Sequence, residues 1–186
     1  LALMEQTRKL MRAKLGEDNP ATFASMNNLA ATYSHLGRHD KALALMEQTR
    51  KLMRAKLGED HPPTLASMNN LANTYRDLGQ HDKALALMEQ TLKLMRAKLG
   101  EDHPSTLTSM NNLAITYSDL GQHGKALALI PTIVSGAEKL RTLPGLGIEQ
   151  RQSLFAKYSD EYQWHARRYV RARRPDEAFN LGDLSK

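Results

Sequence analysis

Cysteine is absent from this chain, so neither disulfides nor thiol chemistry is open to it. No apolar run approaches the roughly 18–20 residues that a membrane-spanning helix needs, and no secretory leader is visible at the first residues. Also missing are a Ser-His-Asp order, a glycine-rich phosphate loop and a His-Glu-x-x-His helix. These absences lead to the expectation of a cytoplasmic protein that is not an enzyme and uses no cofactor, no metal and no membrane. Charge is mildly basic, with 26 Lys and Arg against 20 Asp and Glu, a net of +6 in 186 residues. That permits an acidic partner without demanding one.

What is present is repetition. The stretch Gly58-Glu59-Asp60-His61-Pro62 followed by Thr64-Leu65-Ala66-Ser67-Met68-Asn69-Asn70-Leu71-Ala72 occurs in three versions, marked by Pro20, Pro62 and Pro104. Leu29, Leu71 and Leu113 keep the same 42-residue spacing, as do Tyr33, Tyr75 and Tyr117, then Gly37, Gly79 and Gly121. A fixed period in the range of about 20–50 residues signals a stacked repeat array.

Each period reads as two helices. Helix A opens at Pro20, Pro62 or Pro104, where the missing proline N–H has no helical partner to lose. Asn19 is a good cap for it, and His61 and His103 are expected to cap less well. Gly37, Gly79 and Gly121 end it. Helix B follows, and Ala42, Leu45, Met46, Thr49, Leu52 and Met53 give it an apolar stripe at helical spacing. Residues Leu1 to Leu15 match Leu43 to Leu57 nearly letter for letter, so the chain starts on a helix B and reads as a fragment of a longer protein. Neither helix can bury its stripe alone. The expected fold is all-α: a right-handed superhelical solenoid of antiparallel helix pairs.

Residues 1–126 form the regular array, and residues 127–186 read as a divergent, truncated last repeat. Pro131 falls inside the third helix B and is expected to kink or restart it. A longer helix is expected from about Ile148 to Arg171.

Leu71-Ala72, Tyr75, Gly79 and Ala84 resemble the tetratricopeptide repeat signature. The 42-residue period, the Gly-Glu-Asp-His-Pro loop and the Asn-Asn-Leu-Ala core resemble its kinesin-light-chain variant, against a usual period of about 34 residues. The resemblance implies a concave groove that binds a peptide or a partner domain. The tail from Arg151 to Lys186 is faintly similar to the repeat regions that precede CHAT protease domains. The alternative function is therefore a sensor or regulatory arm of a CHAT protease or an NTPase-type immune receptor.

The copies also differ from one another, and the differences gather on one side of helix A. Those on that side are Ala24/Ala66/Thr108, Ala31/Asn73/Ile115, Ser34/Arg76/Ser118 and His35/Asp77/Asp119; Phe23/Leu65/Leu107 and the entry position Ala21/Pro63/Ser105 differ as well. Asn27, Asn69 and Asn111, with Asn28, Asn70 and Asn112, share that side, while Met26, Leu29, Ala30, Tyr33 and Leu36 point the other way. Matched to the tetratricopeptide pattern, this is the groove-lining side. Drift on a solvated face would also produce variation, but the exposed face of helix B has scarcely varied, as Glu47-Gln48-Thr49-Arg50-Lys51 against Glu89-Gln90-Thr91-Leu92-Lys93 shows. The candidate site is Asn27, Ala31, Ser34, His35, Asn69, Asn70, Asn73, Arg76, Asp77, Thr108, Asn111, Asn112, Ile115, Ser118 and Asp119. Asparagine amides donate and accept, which suits a peptide backbone; the competing reading is a ladder between neighbouring helices.

The histidines at 39, 81 and 123, and at 61 and 103, recur once per repeat, too far apart to share one ion, and read as turn and cap residues. The nine methionines follow the repeat as core filler. Arg167, Arg168, Arg171, Arg173 and Arg174, near Trp164, form a basic patch. It reads as a solvated helix end or a docking surface for a further domain before it reads as a nucleic-acid site. The array ends are expected to expose apolar surface and to self-associate.

Overall fold

The computed structural model describes the backbone of residues 1–142 and the side chains of residues 1–140. The helix expected from Ile148, the Arg167–Arg174 patch and most of the divergent repeat lie outside the described residues. Among those described, all regular structure is helical: α1 (Ala2–Leu15), α2 (Pro20–His35), α3 (His39–Leu57), α4 (Pro62–Asp77), α5 (His81–Leu99), α6 (Pro104–Asp119) and α7 (His123–Thr142). The chain forms two compact units, Leu1–Lys98 and Leu99–Lys186. In the first, α1 packs on α2, α2 on α3 and α3 on α4; in the second, α6 packs on α7.

The even-numbered helices are the expected A helices and the odd-numbered ones the B helices. Each A helix starts on its proline, with the cap residue before it in extended backbone. Asn19 caps α2 by accepting the Ala21 amide at 2.9 Å. His61 makes no such bond, but the Nδ1 of His103 accepts the Ser105 amide at 3.1 Å, so that histidine caps better than the sequence suggested. Each A helix then turns back within three residues. After α4 the Gly79 amide donates to Arg76 O at 2.9 Å and the Gln80 amide to Tyr75 O at 2.8 Å. This pair of bonds satisfies the last carbonyls but demands a left-handed residue. Gly79 supplies it at φ 71°, and Gly37 and Gly121 sit at 69° and 71°.

Apolar stripes meet between these helices. Phe23, Met26, Leu29 and Ala30 of α2 are buried, as are Ala42, Leu45, Met46 and Met53 of α3. Full burial of a large apolar side chain stabilises by about 1.5–3 kcal/mol. Thr49 and Thr91 are also buried, and each hydroxyl donates to the carbonyl four residues back, at 2.7 and 2.6 Å, so neither hydroxyl is stranded.

Two sequence expectations need correction. Leu36 is not core: it is 55% exposed, because it is the capping residue after α2 and has already left the apolar stripe. Pro131 does not restart its helix, since α7 runs through it. Its side chain is exposed, so its ring and the lost hydrogen bond fall on the open face. Nearby, Gly136 lets α7 approach α6: a Cβ there would lie 2.5 Å from a Leu107 methyl.

Successive repeats are tied by a tyrosine. The Tyr33 hydroxyl of α2 donates to Glu5 of α1 at 2.5 Å, and Lys41 of α3 lies 5.8 Å from the centre of its ring. One side chain thus touches three consecutive helices. Tyr75 repeats this with Glu47 of α3 at 2.5 Å and Lys83 of α5 at 5.5 Å. Beside them Thr32 donates to the Met4 sulfur at 3.0 Å and Thr74 to the Met46 sulfur at 3.2 Å. The loops add a second tie: Asp18 meets Lys56 at 2.7 Å, Asp60 meets Lys98 at 2.9 Å and Asp102 meets Lys139 at 2.8 Å. These last are exposed and contribute little each.

Burial first, then the Glu47 hydrogen bond, pushes the Tyr75 phenol from 10.0 up to about 12. Well below pH 10.0 the phenol is neutral in both folded and unfolded chains. Around that value the unfolded chain ionises first, so stability is lost as pH rises from there toward about 12. Tyr75→Phe should remove that tyrosine's share of the alkaline slope in urea denaturation. At neutral pH it should cost about 1.5–3 kcal/mol, the range for a hydrogen bond to a charged group.

Candidate functional site

The exposed face of the A helices can be read residue by residue. On α2, Ala24, Asn28, Ala31 and His35 are all exposed. On α4 the matching residues are Ala66, Asn70, Asn73 and Asp77, of which only Asn73 is half-buried. The steps are four, three and four residues, so each set is a single stripe along its helix. Asn27 and Ser34 on α2, and Asn69 and Arg76 on α4, flank the stripe and are half-buried.

The second unit carries the same positions on α6. Thr108, Asn112 and Ile115 are half-buried and Asp119 is exposed. Asn111 and Ser118 are buried at 3% and 5% exposure. These two expected site residues therefore do not lie on an open face.

The centre of the open face is one residue away from where the asparagine pairs alone put it. The first asparagine of each pair turns toward packing: the Asn69 amide donates to the Met95 sulfur of α5, at 3.7 Å. The second is exposed on α2 and α4 and half-buried on α6. Asn28 belongs with Asn70 and Asn112: the sequence placed it on the varied side but left it out of the candidate site, where Asn27 alone stood for the α2 pair. The signal that could have found it is the four-three-four spacing of the varied residues.

Charge on the stripe lies near the C-terminal ends of these helices. Arg76 is bound by its neighbour, its Nε and Nη2 donating to one Asp77 oxygen at 3.3 and 3.1 Å. Asn73 stands apart. Its Oδ1 is buried and accepts no hydrogen bond, which costs about 1–3 kcal/mol if nothing donates to it. Among the described residues, no group of three or more His, Asp or Glu could hold a metal ion, and no helix is long and apolar enough to cross a membrane.

The sequence profile of the tetratricopeptide repeat matches residues 1–55, 24–97 and 64–130. The chain belongs to the tetratricopeptide repeat family. Among solved structures it is similar to a candidate kinesin light chain of Podosopora anserina with nearly identical TPR-like repeats. Identity is 30% over 98% of this chain and 82% of that one, at a TM-score of 0.74. A point-substituted form of that protein gives 30% identity, 98% and 81% coverage and a TM-score of 0.75. BtubC (BKLC) from P. vanneervenii shares the fold at 20% identity, 96% and 72% coverage and a TM-score of 0.69. No curated protein matches the chain. The repeats are thus of the kinesin-light-chain-like type, and the fold is all-α and TPR-like. Folds of this family typically serve as non-enzymatic scaffolds for protein interaction.

The unmet Asn73 acceptor generates a test. The matching residue on α6 is Ile115, so Asn73→Ile borrows a side chain the repeat already tolerates. The substitution should raise stability by about 1 kcal/mol, the low end of the cost of an unsatisfied buried group. A fall in the thermal midpoint would make Asn73 a packing residue instead.

Proposed function

We propose that this tetratricopeptide repeat protein is a non-catalytic interaction module that holds a peptide or a partner domain along the exposed stripe of its A helices. One observation carries the reading: most of the variation among the repeats falls at exposed or half-buried positions of helix A, the buried Phe23/Leu65/Leu107 apart. Positions 24, 31 and 35 of α2 are exposed, and all three change among the repeats, while the buried positions 26, 29 and 30 stay Met, Leu and Ala in all three. Random drift would have spread the changes to the equally exposed Glu47, Gln48 and Lys51 of α3, and these recur unchanged as Glu89, Gln90 and Lys93 of α5.

The mechanism is preorganisation. The helices are fixed before any ligand arrives, so little conformational entropy is lost on the protein's side. Asn28 and Asn70 offer amide donors and acceptors to an extended backbone, and Arg76 with Asp77 offers a charge pair at the helix end. Those groups are chemically suited to a peptide.

Random peptides displayed on phage and selected on the folded chain give the test. Selected peptides should lose about tenfold or more in affinity, roughly 1.4 kcal/mol, with Asn70→Ala or Asp77→Ala, while the melting temperature stays unchanged. Peptides that bind those variants as well as the parent, or a selection that yields none, would remove the stripe from the function.

A further inference from the structure

We propose that the exposed faces of the B helices α1, α3 and α5 bind an acidic polypeptide segment, through a row formed by Lys9, Lys51 and Lys93. This surface is separate from the stripe of the A helices and does not depend on it. Charge divides the first unit by helix type. α1, α3 and α5 carry 13 Lys and Arg against 5 Asp and Glu, whereas α2 and α4 carry one residue of each sign, Arg76 and Asp77. The loops show that the B helices lie side by side. Glu17 accepts from Arg12 of α1 at 3.1 Å and from Gln48 of α3 at 3.2 Å. Glu59 likewise meets Arg54 of α3 at 3.5 Å and accepts from Gln90 of α5 at 3.0 Å. Lys9 lies three residues before Arg12, Lys51 three after Gln48 and Lys93 three after Gln90, so the lysines share that surface. All three are exposed, and among the described residues none forms a salt bridge.

Folding does not account for the row. The loop acids Glu17, Asp18, Glu59 and Asp60 are taken by Arg12, Lys56, Arg54 and Lys98, which leaves the three lysines unbalanced. Like charges on neighbouring helices oppose compaction. α7 supplies the control. It keeps the loop tie, as Asp102 with Lys139 at 2.8 Å, and it packs on α6. Yet Ser135 and Glu138 stand where α5 has Lys93 and Arg96. A B helix therefore packs without these cations, while α3 and α5 repeat the exposed Gln6, Lys9, Arg12 and Ala13 of α1 letter for letter. Composition selects the occupant. α1, α3 and α5 contain no Phe, Tyr or Trp on which a base could stack. No large apolar side chain of α3 or α5 is exposed to enter a bilayer. Glu47 and Glu89 are exposed beside the row, and a duplex with one charge per roughly 1.7 Å would lay phosphates over them. A polypeptide can set its acids over the lysines and spare the glutamates.

Fluorescently labelled poly-glutamate, titrated with the full chain and followed by anisotropy, gives the test. Lys9→Ser, Lys51→Ser and Lys93→Ser together borrow the serine that α7 already carries. They should weaken binding about tenfold or more, the order expected of three exposed ion pairs, with the thermal midpoint unchanged. Serine in place of Arg167, Arg168, Arg171, Arg173 and Arg174 removes more charge and should weaken binding less. If the triple variant loses its fold, a single position still decides: Lys51→Ser should weaken binding and Lys51→Arg should not. Four results would overturn the row: a parent chain that leaves poly-glutamate unbound; a folded triple variant that binds as tightly as the parent; an equal or greater loss in the arginine variant, since net charge alone would then be at work; or a DNA duplex or phosphatidylserine vesicles bound more tightly than poly-glutamate and released by the same three substitutions, since the surface would then take phosphate.

Discussion

A tyrosine hydroxyl buried between helices is the constraint from which the rest of the array follows. Tyr75 belongs to α4, donates a hydrogen bond to Glu47 of α3 and lies beneath Lys83 of α5. Burying a phenol without a partner would be costly, and burying it with a carboxylate acceptor fixes where the neighbouring helix must sit. The raised phenol pKa is the electrostatic sign of that commitment. Apolar stripes alone would let the helices slide past each other at small cost. The hydroxyl-to-carboxylate bond, recurring with Tyr33 and Glu5, sets one register for both junctions of the first unit.

That bond also decides which side of helix A is left over. Tyr33, Thr32 and the apolar stripe of α2 point toward neighbouring helices, and the Asp18 loop reaches back to Lys56. Stability is therefore concentrated on two sides of each A helix and in the loop before it. The stripe at 24, 28, 31 and 35 takes no part in those ties. It can change without loosening the stack, which is the physical condition for a scaffold whose specificity varies while its frame does not.

Most of the frame was legible because its causes are local. Proline at the helix start, glycine at the left-handed turn and a stripe of Leu, Met and Ala each act within a few residues, and the 42-residue period repeats them. What was not legible depends on neighbours. The choice between Asn27 and Asn28 as the outward residue is a rotation of about 100° on a helix of 3.6 residues per turn, and only packing against the B helix fixes it. Pro131 reads as a breaker until its exposure shows that the open side of α7 accommodates it. Asn111 and Ser118 look identical in sequence to Asn27 and Ser34, yet they are buried where the earlier copies are only half-buried. No rule of spacing separates identical letters in different surroundings.

The copies shift in a consistent direction along the chain, and the shift gives the array a polarity. Position 8 is Arg, position 50 is Arg and position 92 is Leu, with Leu92 only 4% exposed. Ala31 is exposed where Ile115 is half-buried, and Tyr33 is half-buried where Tyr75 and Tyr117 are buried. At the α1 end one arginine even carries a buried, unpartnered Nε, that of Arg8. In a stack where each unit is stabilised mainly by its nearest neighbours, the unit with the fewest covered residues opens first. Near-identical sequence therefore does not mean uniform stability here. The same Leu, Met and Thr are buried on α3 and more exposed on α1, so helices of nearly one sequence carry unequal shares of the buried area.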